Sequence, residues 1–200
     1  MDFHNKITEY IRKVSGFRSK QDYLGMSTIA NCSRLQYDQY MDGQVATDSD
    51  HLNCLRGGVI EEAARQHLIG AGIMKPQSQK ELTFMHNGIK YQGHTDGKSV
   101  EDDWMEIKSL RKDKFDKIKA DQRIPYYMNG QAQTYMYHDP EQRVKAMLFF
   151  FICPETFEFF FLRVVYNHGF AKQLHAKALR ILNAIHFKER PVCDCNRNCQ

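Results

Sequence analysis

The sequence lacks any long hydrophobic run and any signal-like beginning. Its longest apolar segment, Ala146 to Cys153, is far shorter than the roughly 20 apolar residues that a helix needs to cross a bilayer. The first residues, M-D-F-H-N-K, lack the basic region followed by an apolar region that is typical of signal peptides. We therefore expect a soluble, cytoplasmic protein in a reducing compartment, without a membrane partner.

A strong charge of either sign is also lacking. The formal net charge of +4 permits a nucleic-acid partner but does not require one. The 200 residues suffice for one substantial core and are too few for two independent ones. We therefore expect residues 1–200 to form a single domain.

The most informative stretch is G-H-T-D-G-K-S-V-E-D-D-W-M-E-I-K-S, from Gly93 to Ser109. Glu106 and Lys108 are two residues apart in a strand-like segment, so their side chains point to the same face of a sheet. Asp96 lies upstream between two glycines, and a hairpin would fold its carboxylate beside that pair. Two neighbouring carboxylates suit a hard cation such as Mg²⁺ or Mn²⁺, and Lys108 can then position or activate a water molecule.

This combination, G-h-x-D-G followed by E-h-K, resembles the metal-binding core of the PD-(D/E)XK nucleases, in particular the RecB-like and Cas4-like branch. An isolated E-x-K triplet is common in proteins, so the resemblance depends on the whole pattern. The resemblance implies that Asp96 and Glu106 are metal ligands and that Ile107 offers its backbone carbonyl to the same metal. It also implies that Lys108 is the catalytic lysine.

A predicted helix from Leu52 to Leu68 carries a second segment that resembles a nuclease motif. Its sequence R-G-G-V-I-E-E-A-A-R resembles the first motif of the same nucleases, in which a glycine is followed four positions on by histidine or glutamate. Counting from the first or the second glycine reaches Glu61 or Glu62. We prefer Glu61 as a further metal ligand, because the residues after it then match the glutamate-bearing families. An ordinary glutamate on the helix surface is the alternative.

A third segment follows on a helix that starts at Ile124-Pro125. Gln131 and Tyr135 are four residues apart and share one helix face. The spacing Q-x-x-x-Y resembles the accessory motif of RecB-like and Cas4-like nucleases, which implies that both side chains face the site and touch the DNA strand. Before this helix, R-K-D-K-F-D-K-I-K-A-D is either a solvated helix face or a lining for a phosphate backbone.

The six cysteines are distributed unevenly, and three of them, Cys193, Cys195 and Cys199, fall within the last eight residues. Thiols stay reduced in the cytosol, which argues against a disulfide framework. The tail has almost no apolar residue with which to bury them, so the pattern indicates a metal site. A fourth ligand from elsewhere would complete a four-cysteine shell for an iron–sulfur cluster or zinc.

One early and three late cysteines resemble the arrangement in Cas4-like and AddB-like nucleases. The segment C-S-R-L-Q-Y resembles the opening of Cas4-like proteins, which implies that Cys32 is the first ligand of a 4Fe-4S cluster. Residues 27–42 and 191–200 would then be joined by this cluster. The tail spacing C-x-C-x₃-C is tighter than the usual C-x₂-C-x₅-C, so zinc and a metal-free tail stay open as alternatives. Cys54 is the alternative to Cys32.

The pattern of apolar residues predicts an α/β fold with a mixed central sheet flanked by helices, which by resemblance is the restriction-endonuclease-like fold of PD-(D/E)XK nucleases. Asn87-Gly88 predicts a type I′ hairpin. The predicted strands are Lys80 to His86, Ile89 to Thr95, Val100 to Lys108, Val144 to Cys153 and Thr156 to Val165. A helix is expected from Ser27 to Met41, with Cys32 inside it, and a last one from His168 to Phe187.

Taken together, these features predict a metal-dependent deoxyribonuclease. The resemblance implies an exonuclease that hydrolyses phosphodiester bonds at DNA ends, preferably single-stranded. It implies a setting in CRISPR adaptation, recombination and repair, or phage DNA metabolism, with the proteins of those pathways as partners. The alternative is a non-catalytic DNA-end-binding or processing protein with a structural zinc or iron–sulfur site. The intact set of Asp96, Glu106 and Lys108 favours the nuclease.

Overall fold

The computed structural model describes residues 3–15, 20–141 and 143–195. The helices of these ranges are α1 (Phe3–Val14), α2 (Ser33–Met41), α3 (Asp48–Gly70), α4 (Lys112–Asp121), α5 (Tyr126–Tyr137) and α6 (His168–Phe187). The strands are β1 (Tyr23–Gly25), β2 (Lys80–His86), β3 (Ile89–Thr95), β4 (Gly97–Lys98), β5 (Trp104–Ser109), β6 (Ala146–Ile152) and β7 (Phe159–Val165). None of the helices in these ranges combines the length and apolarity that crossing a bilayer requires.

The strands form two sheets that follow one another along the chain. The first has the order β1-β3-β2, with β1 parallel to β3 and β2 antiparallel to it. The second has the order β4-β5-β6-β7, in which only β5 and β6 of these described strands run parallel. Both sheets are mixed and helices pack on them, which confirms the predicted α/β class. Asp96 is the single residue between β3 and β4.

The hairpin of β2 and β3 has the predicted bounds. Its turn residues Asn87 and Gly88 have φ angles of 50° and 75°, as a type I′ turn requires. The strands pair in register from Lys80 opposite Thr95 to His86 opposite Ile89. The prediction succeeds because a two-residue turn fixes the register of both strands by itself.

The strand predicted from Val100 to Lys108 begins later than expected. Residues 99–103 form a tight turn, in which the N–H of Ser99 donates to the carbonyl of Asp103 at 2.9 Å and Asp102 has a φ of 69°. Only the segment from Trp104 onward pairs with its neighbours. The consecutive acidic residues Glu101, Asp102 and Asp103 favour a turn at this place. The turn folds β4 back on β5 and so brings Asp96 alongside β5.

The helix predicted from Ser27 also starts later. A 3-10 turn covers Met26–Thr28, and α2 begins only at Ser33. Cys32 therefore precedes the helix with an extended backbone, at φ −56° and ψ 133°. The apolar residues that suggested a longer helix, Met26 and Ile29, are fully buried in the main core instead.

The core is divided by β5 into two parts. The larger cluster contains Trp104, Tyr91 and Phe149, and the inner faces of α5 and α6 pack on it. The smaller cluster lies between α3 and the sheet and contains Met105 and Ile107 of β5. Because side chains alternate along a strand, Glu106 lies on the face of β5 opposite Ile107, towards α5. A charged group is thus placed in the interior.

Candidate active site

Four of the predicted site residues meet where Asp96, between β3 and β4, lies beside β5. The backbone N–H of Ile107 donates to Oδ2 of Asp96 at 2.7 Å. Nζ of Lys108 donates to Oε1 of Glu106 at 2.5 Å. The Glu106 side chain is only 4% exposed and that of Lys108 is 28% exposed, so the ammonium group connects a buried carboxylate to the surface. The side chain of Ile107 itself is buried in the smaller cluster.

Helix α5 adds Gln131 and Tyr135 to this group. Nε2 of Gln131 donates to Oε1 of Glu106 at 2.6 Å and to the hydroxyl of Tyr135 at 3.3 Å. One carboxylate oxygen of Glu106 thus receives two donors. The other, Oε2, is buried and has no hydrogen-bond partner among the described residues. A buried carboxylate oxygen without a partner is costly, and a bound cation would remove that cost.

The acidic groups act strongly on one another. Burial raises the pKa of Asp96 to about 8, together with the charges of Glu106 and Glu61. Burial alone would lower the pKa of Lys108, but the carboxylates of Glu106, Asp96 and Glu61 outweigh it, and the net pKa is raised. Lys108 therefore stays an ammonium group at neutral pH. At neutral pH the raised pKa keeps Asp96 largely protonated, so Lys108 faces one buried carboxylate, that of Glu106.

The structure distinguishes the two glutamates of α3. Glu61 is close enough to shift the pKa of Asp96 and Lys108, whereas Glu62 pairs with Gln66 at 2.8 Å and with Arg65. Nη2 of Arg65 also donates to Oε1 of Glu61 at 3.2 Å. The sequence analysis gave Arg65 no role, although its position four residues after Glu61 is the signal for such a pair. It neutralises Glu61 at the edge of the site.

Two glycines allow α5 to come close to its neighbours. A Cβ atom at Gly93 of β3 would lie 2.5 Å from Cε1 of Tyr135 and 2.9 Å from Cβ of Met26. A Cβ atom at Gly130 would lie 2.6 Å from Cβ of Ala30. Contacts that short do not occur between real atoms. The Gly93 of the G-h-x-D-G pattern is therefore needed so that the ring of Tyr135 can lie over β3.

A second group is formed by the cysteines at the two ends of the chain. Sγ of Cys193 lies 3.5 Å from Sγ of Cys32 and 3.3 Å from Sγ of Cys195, and all three sulfur atoms lie within 4.8 Å of one another. In the described ranges, no other three His, Cys, Asp or Glu donors are gathered in this way. Three thiols this close can hold a soft metal. Cys199 lies outside the described residues, and Cys54 is exposed on α3, apart from this group.

Polar contacts that the sequence analysis missed fasten the tail next to these thiols. Asp194 accepts hydrogen bonds from the backbone N–H of Ser33 at 2.8 Å and from its hydroxyl at 2.6 Å. Nζ of Lys177 lies 3.2 Å from the same carboxylate. Burial would raise the pKa of Asp194, but the bonds from Ser33 and then Lys177 lower it to about 2. Arg190 forms a bidentate pair with Asp38 of α2. In the sequence, the acidic residue between the two cysteines of C-D-C was the feature that could have indicated these contacts.

Comparison with known proteins identifies the fold. No model of a known protein family matches the sequence, and no curated protein matches it either. The structure resembles an alkaline exonuclease, LHK-Exo, from Laribacter hongkongensis, at a TM-score of 0.63 and 15% identity over 90% of this chain and 94% of that one. The structure of LHK-Exo in complex with dAMP has a TM-score of 0.59 and 16% identity, over 84% of this chain and 90% of that one. A protein named SSO0001 has a TM-score of 0.57 and 15% identity, over 96% of this chain and 91% of that one.

This chain has their fold. The likeness covers nearly the full length of each chain, so it includes both sheets and the helices that flank them. It confirms the predicted restriction-endonuclease-like class of fold. At 15% to 16% identity it concerns the arrangement of the backbone, and the chemistry has to be argued from the side chains described above.

Proposed function

We propose that this protein is a metal-dependent DNA nuclease that hydrolyses phosphodiester bonds at the group formed by Asp96, Glu106 and Lys108. The observation that carries the proposal is the buried carboxylate of Glu106, which has one oxygen bound by Lys108 and Gln131 and the other without a partner in the described chain. The fold that surrounds it is shared with LHK-Exo, an exonuclease that has been crystallised with dAMP.

The donor set fits Mg²⁺ or Mn²⁺. Asp96 and Glu106 would hold the ion, together with the carbonyl of Ile107 and with Glu61 from α3. All are hard oxygen ligands. Oε2 of Glu106 has no hydrogen-bond partner among the described residues, and the raised pKa of Asp96 shows that its ionised form lacks a counter-charge, which a bound cation would supply. To bind the ion, Glu61 would have to leave its ion pair with Arg65 and move closer, because its carboxylate does not lie within 4.8 Å of both other carboxylates. When bound, the ion supplies Lewis-acid polarisation of the scissile phosphate.

The neighbouring side chains divide the remaining tasks. Lys108 stays protonated and can hold the attacking water and donate to a phosphate oxygen. Gln131 fixes Glu106 through its 2.6 Å bond. Tyr135 is only 2% exposed, and burial, more than the charge of Glu106, raises its pKa, so its hydroxyl stays protonated and helps to hold Gln131 in place.

We further propose that the enzyme is an exonuclease acting on single-stranded DNA ends. The LHK-Exo likeness and the resemblance of Q-x-x-x-Y to the accessory motif of RecB-like and Cas4-like nucleases support this. The same resemblance supports CRISPR adaptation, recombination or phage DNA metabolism as the setting. These inferences concern the substrate and the pathway, and they rest on the fold and the motif together.

For the thiols, we propose that Cys32, Cys193 and Cys195, with Cys199 as the fourth ligand, hold a 4Fe-4S cluster. Zinc is the alternative, because both suit a four-cysteine shell. The close approach of the three described sulfur atoms supports a bound metal. Its role would be structural, since it joins the start of α2 to the tail. Iron and labile sulfide in brown protein would support the cluster, and stoichiometric zinc in colourless protein would replace it.

The nuclease is tested with 5′-labelled single-stranded DNA and Mn²⁺. Glu106→Gln should reduce the rate of degradation by about 100-fold or more, because it removes a charged ligand of the ion that would polarise the phosphate. Glu9→Gln is the matched control, since Glu9 is exposed on α1 and contacts none of the site residues in the described ranges, so it should behave like the wild type. Equal degradation by Glu106→Gln and the wild type would show that the site is wrong. DNA binding without any degradation by the wild type would instead support the non-catalytic alternative.

A further inference from the structure

Two open cavities lie on either side of two tyrosines at the start of α5. One has a volume of about 470 Å³ and is lined on its α4 side by Lys114 and Lys117. The other has a volume of about 560 Å³ and reaches Cys32 and Lys177. Tyr126 and Tyr127 line both cavities. The two cavities are therefore neighbours that share these two side chains, and we call the pair the tyrosine groove.

The α4 half of the tyrosine groove is positively charged. Lys114, Lys117 and Arg123 are exposed there, and none of them forms a salt bridge with another residue of the described ranges. Asp121 is the acidic residue that lines the same half. Neighbouring lysines on α4 are, by contrast, paired, as Lys112 is with Asp116 at 2.5 Å. Cations left without counter-ions along a groove suit a polyanion.

The tyrosines offer flat apolar surface next to these charges. Tyr126 is 64% exposed and Tyr127 is 43% exposed, although large apolar rings are usually buried. Tyr126 leans on Phe170, with ring centroids 5.5 Å apart, which fixes its orientation. Tyr127 contacts no other aromatic ring among the described residues. Exposed rings between cations are the combination that binds single-stranded nucleic acid, because bases stack on the rings while phosphates meet the cations.

The groove lies one turn of α5 away from the proposed active site. Tyr127, Gln131 and Tyr135 are spaced by four residues and therefore share one face of α5. Gln131 contacts Glu106, and Tyr127 lies one turn before it, about 6 Å along the helix axis. Leu110, which lines the groove, follows β5 two residues after Lys108. A strand held in the groove would thus pass about one helical turn from Gln131, the residue that holds Glu106, although none of the proposed metal ligands lines either cavity.

We propose that the tyrosine groove binds the single-stranded segment of DNA adjacent to the bond that is cleaved. Bases stack on Tyr127 and Tyr126, and phosphates contact Lys114, Lys117 and Arg123. The proposal rests on the proposed nuclease function for the direction of the strand, but the binding itself does not require cleavage. It can therefore be measured separately.

The stacking is tested by fluorescence anisotropy in EDTA with an oligothymidylate of about 20 nucleotides and an abasic strand of the same length. Tyr127→Ala should weaken binding of oligothymidylate about 10-fold and leave binding of the abasic strand unchanged, whereas Tyr127→Phe should bind both like the wild type. Tyr10→Ala is the matched control, since Tyr10 is 60% exposed on α1 and lines neither cavity. Unchanged binding by Tyr127→Ala, or equal weakening for both strands, would overturn the stacking.

The charges are tested through the salt dependence of the same binding. A triple variant, with Lys114, Lys117 and Arg123 each changed to Gln, should lower the slope of log K against log salt by about 2, because each phosphate contact on a single strand contributes about 0.7. The control triple variant changes Lys6, Lys13 and Lys172 to Gln. These lysines are exposed and line neither cavity, so the slope should be unchanged. Equal slopes for the two triple variants would contradict the groove.

The outcomes separate this proposal from the nuclease itself. Groove variants that bind like the wild type, in a protein that degrades DNA with Mn²⁺, would refute the groove and leave the nuclease. Weakened binding by the groove variants, in a protein that never degrades DNA, would uphold the groove and refute the nuclease. Unfolding temperatures of all variants should agree with that of the wild type, because every changed side chain is exposed.

Discussion

Glu106 combines two properties that stability alone does not favour. Its side chain is almost fully buried, and one of its oxygens has no partner in the described residues. Lys108 and Gln131 converge on the other oxygen and hold the carboxylate in place. Such an arrangement costs stability in the metal-free protein and prepares the site for a cation, as is common where function and stability conflict.

Gly93 allows a test of how tightly this site is built. Gly93→Ala should lower the free energy of unfolding by about 2 kcal/mol, because its Cβ would overlap the ring of Tyr135 and the Cβ of Met26. Gly58→Ala is the control, since a Cβ there meets no atom within 4 Å and alanine favours the helix. Chemical denaturation measures both. A Gly93→Ala protein as stable as the wild type would contradict the close packing of Tyr135 on β3.

Among the helices and strands, α5 connects the site to the core. Its middle carries Gln131 and Tyr135, and its end reaches His138, which packs against the rings of Tyr91, Tyr137 and His175. Nε2 of His138 is buried and has no hydrogen-bond partner in the described part of the chain. Burial, followed by the effect of His175, lowers its pKa to about 4, so the ring is neutral in the folded protein at neutral pH.

This histidine predicts a loss of stability in acid. The unfolded chain takes up a proton near pH 6.5 but the folded one only near pH 4, so stability is complete above pH 6.5 and falls as the pH drops towards 4. The loss from this group is about 3 kcal/mol. His138→Phe keeps an aromatic ring and should remove that part of the pH dependence, as seen in thermal unfolding at pH 7 and pH 5. His186→Phe, at an exposed position, should not; equal pH profiles for His138→Phe and the wild type would contradict the assignment.

The local elements were predictable from the sequence where short-range chemistry fixes them. The turn at Asn87-Gly88 set the bounds of β2 and β3, and the apolar spacing set those of α6. The turn at residues 99–103 was missed because Val100 and the apolar residues from Trp104 onward suggest one continuous strand, although three acidic residues interrupt the alternation between them. The order of Asp96, Glu106, Gln131 and Tyr135 along the chain suggested their neighbourhood, but no local pattern reveals which oxygen of Glu106 is left unpaired.

Across the chain as a whole, the two ends are joined at the thiol group. Cys32 and Cys193 are 161 residues apart in sequence, and so are Ser33 and Asp194. Contacts over such distances do not show in periodicity, and only the clustering of cysteines pointed to them. The carboxylate of Asp194 also accepts from an N–H at the start of α2, where negative charge is favourable.

Asp194 should accordingly control how firmly the thiols hold their metal. Asp194→Ala removes the bonds to Ser33 and Lys177 and should accelerate loss of metal to a chelator by about 10-fold or more, as for other groups that orient metal ligands. Asp113→Ala, at an exposed ion pair with Arg111 on α4, should release metal at the wild-type rate. Metal content is followed by atomic absorption or by cluster absorbance. Identical rates for both variants would show that the tail is held by other contacts.

The most direct measurement is a crystal structure of the protein soaked with Mn²⁺, with data collected at a wavelength that gives an anomalous signal from manganese. We predict a peak at ligand distance, about 2.2 Å, from Oε2 of Glu106 and from a carboxylate oxygen of Asp96, and no such peak in Glu106→Gln. The account would be contradicted if a crystal soaked in saturating Mn²⁺ showed no manganese peak between Asp96 and Glu106 while the same protein still degraded DNA.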